Sequence, residues 1–390
     1  MKYAIIIMDG AADLPLEELG GKTPLQAASK PNIDRLASIG RVGSARNIPR
    51  GMPPGSDVAI LAVLGYDPRA NYPGRAPLEA AAQGIELGPN DWVFRCNLVT
   101  IIDGVMEDYS AGHISSAEAK VLIDELGRQL GGAKVQFFAG VSYRHLVVLR
   151  DVRDGMSVAT TPPHDIIGQP VEKHCPRGRG SDVLRTLMSR AEDILKHHDI
   201  NRVRRDLGEN PATSIWLWGQ GRPPALPTLK ERFGLTGSVI CAVDLIRGIG
   251  LYAGLTPIKV PGATGYLDTN YEGKVAAALK ALEDQDLAFI HVEAPDEAGH
   301  KGDLKLKLQA IEDFDARVVG PLMAGLPRLG DHRVLVMCDH LTPIAVKTHT
   351  PEPVPFVLYD SRRPGSHNRA YTEGDAARTG LLLEQAAELL

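Results

Sequence analysis

The sequence predicts an α/β protein in which a mostly parallel sheet is flanked by helices and a smaller α+β domain is inserted into the chain. Three observations carry this reading. Residues 3–8 (YAIIIM), 287–292 (LAFIHV) and 333–337 (RVLVM) are strongly apolar runs of strand length, as expected of strands buried on both faces of a largely parallel sheet. Each is followed at once by a polar segment rich in Asp, Glu and His. The stretches between them place apolar residues at helical spacing, so strand and helix alternate along the chain.

Taken in order, residues 3–8 form the first strand, and residues 32–39, directly after Pro31, a helix. The Gly/Pro turn at 51–57 leads into an apolar helix at 58–64. From about residue 86 the pattern changes. Strand-like segments at 92–102, 135–138 and 145–150 are followed by a proline-rich stretch at 161–170, a basic cluster at Arg177 and Arg179, and a long helix at 182–197. Residues 219–227 (GQGRPPALP), stiffened by three prolines, read as the linker that returns from an insertion. Beyond it, 274–282 carries alanine and leucine at helical spacing. The stretch 305–319 repeats apolar positions at Leu308, Ile311, Phe314 and Val318. The expected organisation is a discontinuous core of residues 1–86 and 222–390 around an inserted domain of 87–221. No internal repeat suggests a solenoid.

The 390 residues carry 43 Lys and Arg against 48 Asp and Glu, a net charge of −5. A mildly acidic chain without a basic run is not expected to wrap nucleic acid or lie on an anionic membrane. The apolar runs fall well short of the ~18–20 residues of a membrane span, and Asp9 and Gly10 interrupt the first one too early for a signal peptide. Cys96, Cys175, Cys241 and Cys338 show no CxxC spacing, which fits a reducing compartment. The expectation is a soluble cytoplasmic enzyme; oligomeric state is not legible.

Two nucleotide motifs are near misses. Gly20-Gly21-Lys22-Thr23 lacks the first glycine of a phosphate loop, where Leu16 stands, and Gly248–Ala253 lies within a helical pattern rather than after a strand. Four other patches are stronger. They are Met8-Asp9-Gly10; the turn Gly51-Met52-Pro53-Pro54-Gly55-Ser56-Asp57; Pro295-Asp296-Glu297-Ala298-Gly299-His300; and Cys338-Asp339-His340 with His349 nine residues on. Ligands of open α/β sheets bind at the carboxyl ends of strands, so these patches can converge. Asp9, Ser56, Asp296, His300, Asp339, His340 and His349 supply the oxygen and nitrogen donors that two divalent ions need. Asp296 and His300, at i and i+4, share a helix face. Ser56 is the natural nucleophile. A helix start favours an alkoxide, and metal coordination would lower the hydroxyl pKa of a serine that has no histidine base. The plainer alternative is that Ser56 only caps the helix that follows.

MDG, GMPPGSD, LGYDP, VEAPDEAGH and DH-x-TP followed by THTPEPVPF together resemble the cofactor-independent phosphoglycerate mutases of the archaeal type, within the alkaline phosphatase superfamily. The resemblance extends through GVSYRHLVV, PPHDIIG, IWLWGQG and PGATGYLDTNYEGK. It implies an alkaline-phosphatase-like core in which Asp9, Ser56, Asp339 and His340 hold one divalent ion and Asp296, His300 and His349 the other. Mn²⁺ is the best match, with Mg²⁺, Zn²⁺ or Co²⁺ as alternatives. It further implies that Ser56 is transiently phosphorylated and that Lys274 neutralises the bridging phosphate. His113, Arg144, His164, Asn201 and Arg204 in the inserted substrate-binding lid would contact a small phosphorylated hydroxy acid. His113 stands where the resemblance leads one to expect arginine. The implied reaction interconverts 3-phosphoglycerate and 2-phosphoglycerate. GMPPGSD and APDEAGH are also similar to a bacterial branch for which a homoserine kinase role has been proposed, and a metal-dependent phosphohydrolase is the third alternative.

Overall fold

A computed structural model describes residues 1–153 and 155–389. The chain begins with strand β1 (Lys2–Met8), helices α1 (Pro24–Ala27) and α2 (Pro31–Ile39), strand β2 (Arg41–Ala45) and helices α3 (Ser56–Val63) and α4 (Pro68–Asn71). Next come α5 (Arg75–Ala82), β3 (Trp92–Ile102), β4 (Val105–Asp108), α6 (Ser116–Leu130), β5 (Val135–Val141), β6 (Arg144–Leu149), β7 (Ser157–Ala159), β8 (Arg177–Arg179), α7 (Ser181–Lys196), α8 (Asp199–Asp206) and β9 (Ser214–Gly221). The chain then continues through α9 (Leu229–Phe233), β10 (Gly237–Ile240), α10 (Asp244–Tyr252), β11 (Thr256–Pro257), α11 (Tyr271–Asp284), β12 (Leu287–Val292), α12 (Ala294–Lys301) and α13 (Leu304–Phe314). The last elements are α14 (Gly320–Gly325), β13 (His332–Met337), β14 (Val354–Asp360), α15 (Glu373–Arg378) and β15 (Leu382–Leu383).

Two compact units result, one of Met1–Tyr72 with Ala225–Leu390 and one of Pro73–Pro224. In the first, eight strands run in the order β11-β10-β12-β1-β13-β14-β2-β15. The neighbours from β11 to β13 are parallel, and β14 pairs antiparallel with both β13 and β2. The sheet is therefore mostly parallel, as the continuous apolar runs predict. Its central strands are buried along nearly their whole length. The register sets Ile7 beside both His291 and Met337, so the carboxyl ends of β1, β12 and β13 finish side by side.

Helix packing explains further sequence features. Gly250 lies inside α10, where a Cβ would run into Val239 of β10, so this glycine serves packing rather than a phosphate loop. The helical pattern at 305–319 divides into α13 and a π-helical turn at Asp315–Val319. Asp315 accepts hydrogen bonds from the backbone N–H groups of Asn32 (3.2 Å) and Ile33 (2.7 Å), closing the free amino end of α2.

The second unit has a five-stranded antiparallel sheet in which β4, β3, β6 and β5 follow one another and β9 pairs with β3. Phe94, Leu98, Leu122, Leu126 and Trp216 are among the buried residues of its own core. Its limits differ from those read from sequence. Helix α5 groups with it because Ala76 and Ala80 pack against Val93, Leu146 and Val148 of β3 and β6. At the other end, 219–221 complete strand β9, so the proline-rich linker starts only at Arg222.

Candidate metal centre

Three neighbouring strand ends and two helix starts build the site. Asp9 follows β1, Asp339 and His340 follow β13, α12 carries Asp296 and His300, and Ser56 is the first residue of α3. Asp9, Asp339 and His340 form one group whose ligand atoms all lie within 4.8 Å of one another, and Asp296, His300 and His349 form a second. In the first group His340 Nε2 lies 3.5 Å from Asp9 Oδ1 and 3.3 Å from Asp339 Oδ2. Ser56 Oγ joins it, 3.1 Å from the same nitrogen. In the second group Asp296 Oδ2 is 3.2 Å from His300 Nε2 and Oδ1 is 3.4 Å from His349 Nε2. The groups abut, the His340 and His349 rings standing 4.0 Å apart between centroids. All seven donors singled out in the sequence are thus brought together within the first unit.

The electrostatics fit cations. Asp9 is 1% exposed and Asp339 and His340 are fully buried, yet among the described residues Asp9 Oδ1 and Asp339 Oδ2 have no hydrogen-bond partner. Burial, reinforced by the charges of Asp339, Asp296 and Glu293, pushes the Asp9 carboxyl well above its ordinary range. Burial and the neighbouring Asp296 likewise push Glu293 up to about 8. Burial also works against the ionised form of Asp296, but the His300 and His349 imidazoles overcome it and hold that carboxyl well below the usual range. The hydrogen bond to Asp296 raises His300 to about 9. A buried carboxylate oxygen left without a hydrogen bond is costly, and positive charge beside the two such oxygens offsets that cost. The residues present fit two divalent ions.

The glycine of MDG is required here. Gly10 has φ +59°, a left-handed conformation open to glycine, and an added Cβ would collide with the Asp296 carboxylate and Thr342 Oγ1. Its N–H donates to Asp339 Oδ1 at 3.0 Å, linking two of the strand-end loops. The alternative that Ser56 only caps α3 does not hold, since Gly55 occupies the N-cap position and the first-turn N–H of Val58 donates to Asp57 Oδ1 (3.1 Å) rather than to Ser56. Ser56 is half-buried and its Oγ faces His340.

Several supporting residues were not singled out in the sequence. Thr342 Oγ1 donates to Asp296 Oδ1 and lies 3.3 Å from His340 Nδ1, touching a member of each group. Asn47 Nδ2 donates to the carbonyls of Cys338 (3.1 Å) and Asp339 (2.7 Å). His291 Nε2 sits 3.2 Å from Asp9 Oδ2. Lys307 is fully buried, with Nζ 2.7 Å from Asp13 Oδ2 and 2.8 Å from the Thr342 carbonyl. Thr342 is legible as part of DH-x-TP; the others sit in positions that give no local signal. Lys274, expected as an active-site lysine, is buried in α11 and donates to the His291 carbonyl at 2.9 Å. Burial lowers its ammonium pKa to about 8.

The five residues of the second unit divide into two sets. His113, Arg144 and His164 gather around aromatic rings. His113 and Arg144 both lie near Tyr143, and His164 stands between Tyr109 and Trp218. His113 ends a run of three left-handed residues, Ala111 to His113, held by the Asp108 carboxylate, which accepts from the N–H groups of Ser110 and Gly112 at 2.7 Å. Asn201 and Arg204 are instead drawn into the fold. Asn201 is fully buried and bonds the carbonyls of Leu195 and Ala212. Arg204, 3% exposed, pairs with Glu118 and Glu209 and donates to the carbonyls of Asn210 and Ala111. Their donors are committed to the protein itself.

Comparison with known proteins points to one family. The family model of 2,3-bisphosphoglycerate-independent phosphoglycerate mutase matches residues 37–201. The chain is 54% identical to a probable 2,3-bisphosphoglycerate-independent phosphoglycerate mutase of Geobacter sulfurreducens, covering 100% of this chain and 98% of that protein. It is 51% identical, with the same coverage, to a 2,3-bisphosphoglycerate-independent phosphoglycerate mutase of Methanothrix thermoacetophila. Among solved structures it is similar to the PH0037 protein from Pyrococcus horikoshii, with TM-score 0.84, 28% identity, and coverage of 100% of this chain and 95% of that one. It is also similar to the cofactor-independent phosphoglycerate mutase from Thermoplasma acidophilum, with TM-score 0.70, 25% identity, and coverage of 100% and 98%.

Proposed function

The chain belongs to the 2,3-bisphosphoglycerate-independent phosphoglycerate mutase family, and from that premise we propose that it interconverts 3-phosphoglycerate and 2-phosphoglycerate through a phosphoserine formed on Ser56. The observation that carries the mechanism is the position of Ser56 Oγ, free of capping duty at the start of α3 and 3.1 Å from His340 Nε2. Asp9, Ser56, Asp339 and His340 would hold one divalent cation and Asp296, His300 and His349 a second, Mn²⁺ being best matched to mixed carboxylate and imidazole donors; when bound, the pair supplies a lowered Ser56 hydroxyl pKa and charge neutralisation for the phosphoryl oxygens.

The residues of the chain do the rest. Ser56 Oγ gives up its proton and forms a bond to phosphorus as the bond from phosphorus to the substrate's ester oxygen breaks, and that oxygen takes up one proton in exchange and leaves as the glycerate hydroxyl. After the glycerate turns, its other hydroxyl attacks the phosphorus as the bond from phosphorus to Ser56 Oγ breaks, and the proton it loses is balanced by the one that restores the Ser56 hydroxyl. The positive end of the α3 dipole favours the anionic nucleophile, and the Lys274 ammonium is our candidate for balancing charge on the transferring group. His113, Arg144 and His164 are our candidates for holding the carboxylate, because guanidinium and imidazolium groups bind it by charge-assisted hydrogen bonds. Asn201 and Arg204 we assign to the fold. A cytoplasmic setting is supported by four unpaired cysteines, and among the described residues no helix is long and apolar enough to cross a membrane.

The test is to supply purified protein with Mn²⁺ and 3-phosphoglycerate in the absence of 2,3-bisphosphoglycerate. The expected result is 2-phosphoglycerate, with an intact mass that shows one added phosphoryl group on quenching. Ser56→Ala is expected to abolish that adduct and lower kcat on the order of 10³-fold or more. Release of inorganic phosphate as the sole product, or unchanged turnover in the variant, would overturn the reading.

A further inference from the structure

A cleft of about 530 Å³ opens in the first unit at the end of the sheet away from the candidate metal centre. It is lined by Arg333 and Asp360, which pair across β13 and β14, whereas the metal-binding residues follow the opposite end of β13. The intervening length of strand, at ~3.3 Å per residue, separates the two by roughly 20 Å.

Its charge is the unusual feature. In a protein of net charge −5, four arginines (Arg41, Arg333, Arg363, Arg369) and a single carboxylate line one cleft. The carboxylate is already occupied: Asp360 pairs with Arg362 and Arg333, at 3.1 and 2.8 Å, and Arg362 above all holds it well below the usual range. Arg41, Arg363 and Arg369 make no side-chain hydrogen bond or ion pair among the described residues. Arg41 and Arg363 are exposed and Arg369 half-buried, so their guanidinium groups are open to a ligand from solvent, and an anion is the ligand that three such groups lining one cleft favour. The loop that bears two of them is pinned, since the N–H groups of Gly365 and His367 each donate to carbonyls at the end of α2, Ile39 and Ser38, at 2.6 Å. Pinning reduces the ordering cost of binding. Val42, Leu358 and Leu381 add apolar wall, and the volume lies in the range of small-molecule sites.

We propose that this cleft binds a small organic phosphate, the phosphate held by Arg41, Arg363 and Arg369 and the organic body resting on Val42, Leu358 and Leu381. Arginine suits this ligand because its planar fork grips phosphate oxygens in pairs. The cleft is distinct from the metal centre and does not depend on the assigned reaction.

Isothermal titration of the Mn²⁺-loaded protein with AMP, and in a separate arm with inorganic phosphate, tests it. AMP is expected to bind, and its affinity to fall at least about tenfold, or 1.4 kcal/mol, in Arg41→Ala and in the Arg363→Ala, Arg369→Ala double variant. Melting temperature and 3-phosphoglycerate turnover are expected to stay at wild-type values. Inorganic phosphate binding as tightly as AMP, with the same loss in the variants, would support the phosphate site and name the free ion as its ligand. No binding of either probe at millimolar concentration, or an affinity indifferent to the arginine substitutions, would overturn it.

Discussion

Lys274 shows how burial can set a working pH. Its side chain is enclosed in α11, and burial pushes the ammonium down to about 8. The charged form is therefore present below that value and lost as pH rises through it. If the ammonium balances charge on the transferring phosphoryl group, kcat is expected to decline above pH about 8, and Lys274→Met to lower kcat about 100-fold while removing the lysine-dependent part of that decline. A pH profile of kcat for both proteins checks this. A variant with an unchanged alkaline limb and full activity would return Lys274 to a structural role. At this scale the sequence marks the seven candidate donors well, because each lies in a short polar motif: Asp9, Asp339 and His340 just after strands, Ser56 and Asp296 in the first turns of helices, His300 one turn beyond Asp296, and His349 in the loop between β13 and β14. It marks Lys307, Asn47 and His291 poorly. A lysine reads as a surface cation unless its burial is known, and His291 sits inside an apolar strand, where nothing local reveals Asp9 across the sheet at 3.2 Å.

At the scale of elements, the loops matter more than the strands they leave. The loop after β1 and the loop after His340 are joined by Lys307, which bridges Asp13 and the Thr342 carbonyl from within α13. Asp13 Oδ2 also accepts from the Ile344 N–H at 3.1 Å. Lys307→Met would leave the buried Asp13 carboxylate without its cation, at an expected cost of about 3–5 kcal/mol. Removing both charges, as Asp13→Leu with Lys307→Met, is expected to cost less than the single change. Denaturant unfolding of the two variants checks the order, and equal losses would show that the charge itself is not what matters. The helical pattern at 305–319 identifies a helix correctly but hides its π-helical end, because the same apolar spacing serves both. That turn places Asp315 at the start of α2, a tertiary contact no periodicity can announce.

At the scale of the molecule, cation binding and stability are one question. Buried carboxylate oxygens without partners imply that loaded protein is more stable than stripped protein. At a cation concentration 100 times the dissociation constant the gain is about 2.7 kcal/mol. Chelation is expected to lower the melting temperature, and Mn²⁺ to restore it; a melting temperature indifferent to both would count against the centre. The unit Pro73–Pro224 has its own antiparallel sheet and buried core, so a fragment of those residues is expected to unfold cooperatively on heating, as circular dichroism can show. A gradual, sloping melt would show that it depends on the rest of the chain. The sequence by itself determined the mostly parallel α/β core, the presence of an insertion and the polar motifs that supply the proposed donors and nucleophile, because hydrophobic periodicity and short polar motifs are local and survive in one dimension. Tertiary structure alone decided which donors group together, where the insertion starts, and that the side chains of Asn201 and Arg204 bond to the protein's own carbonyls and carboxylates. It also decided that Arg41, Arg363 and Arg369 line one cleft. Each of these depends on residues far apart in the chain meeting in space, and their burial, charge and free hydrogen-bonding capacity are fixed only once they meet.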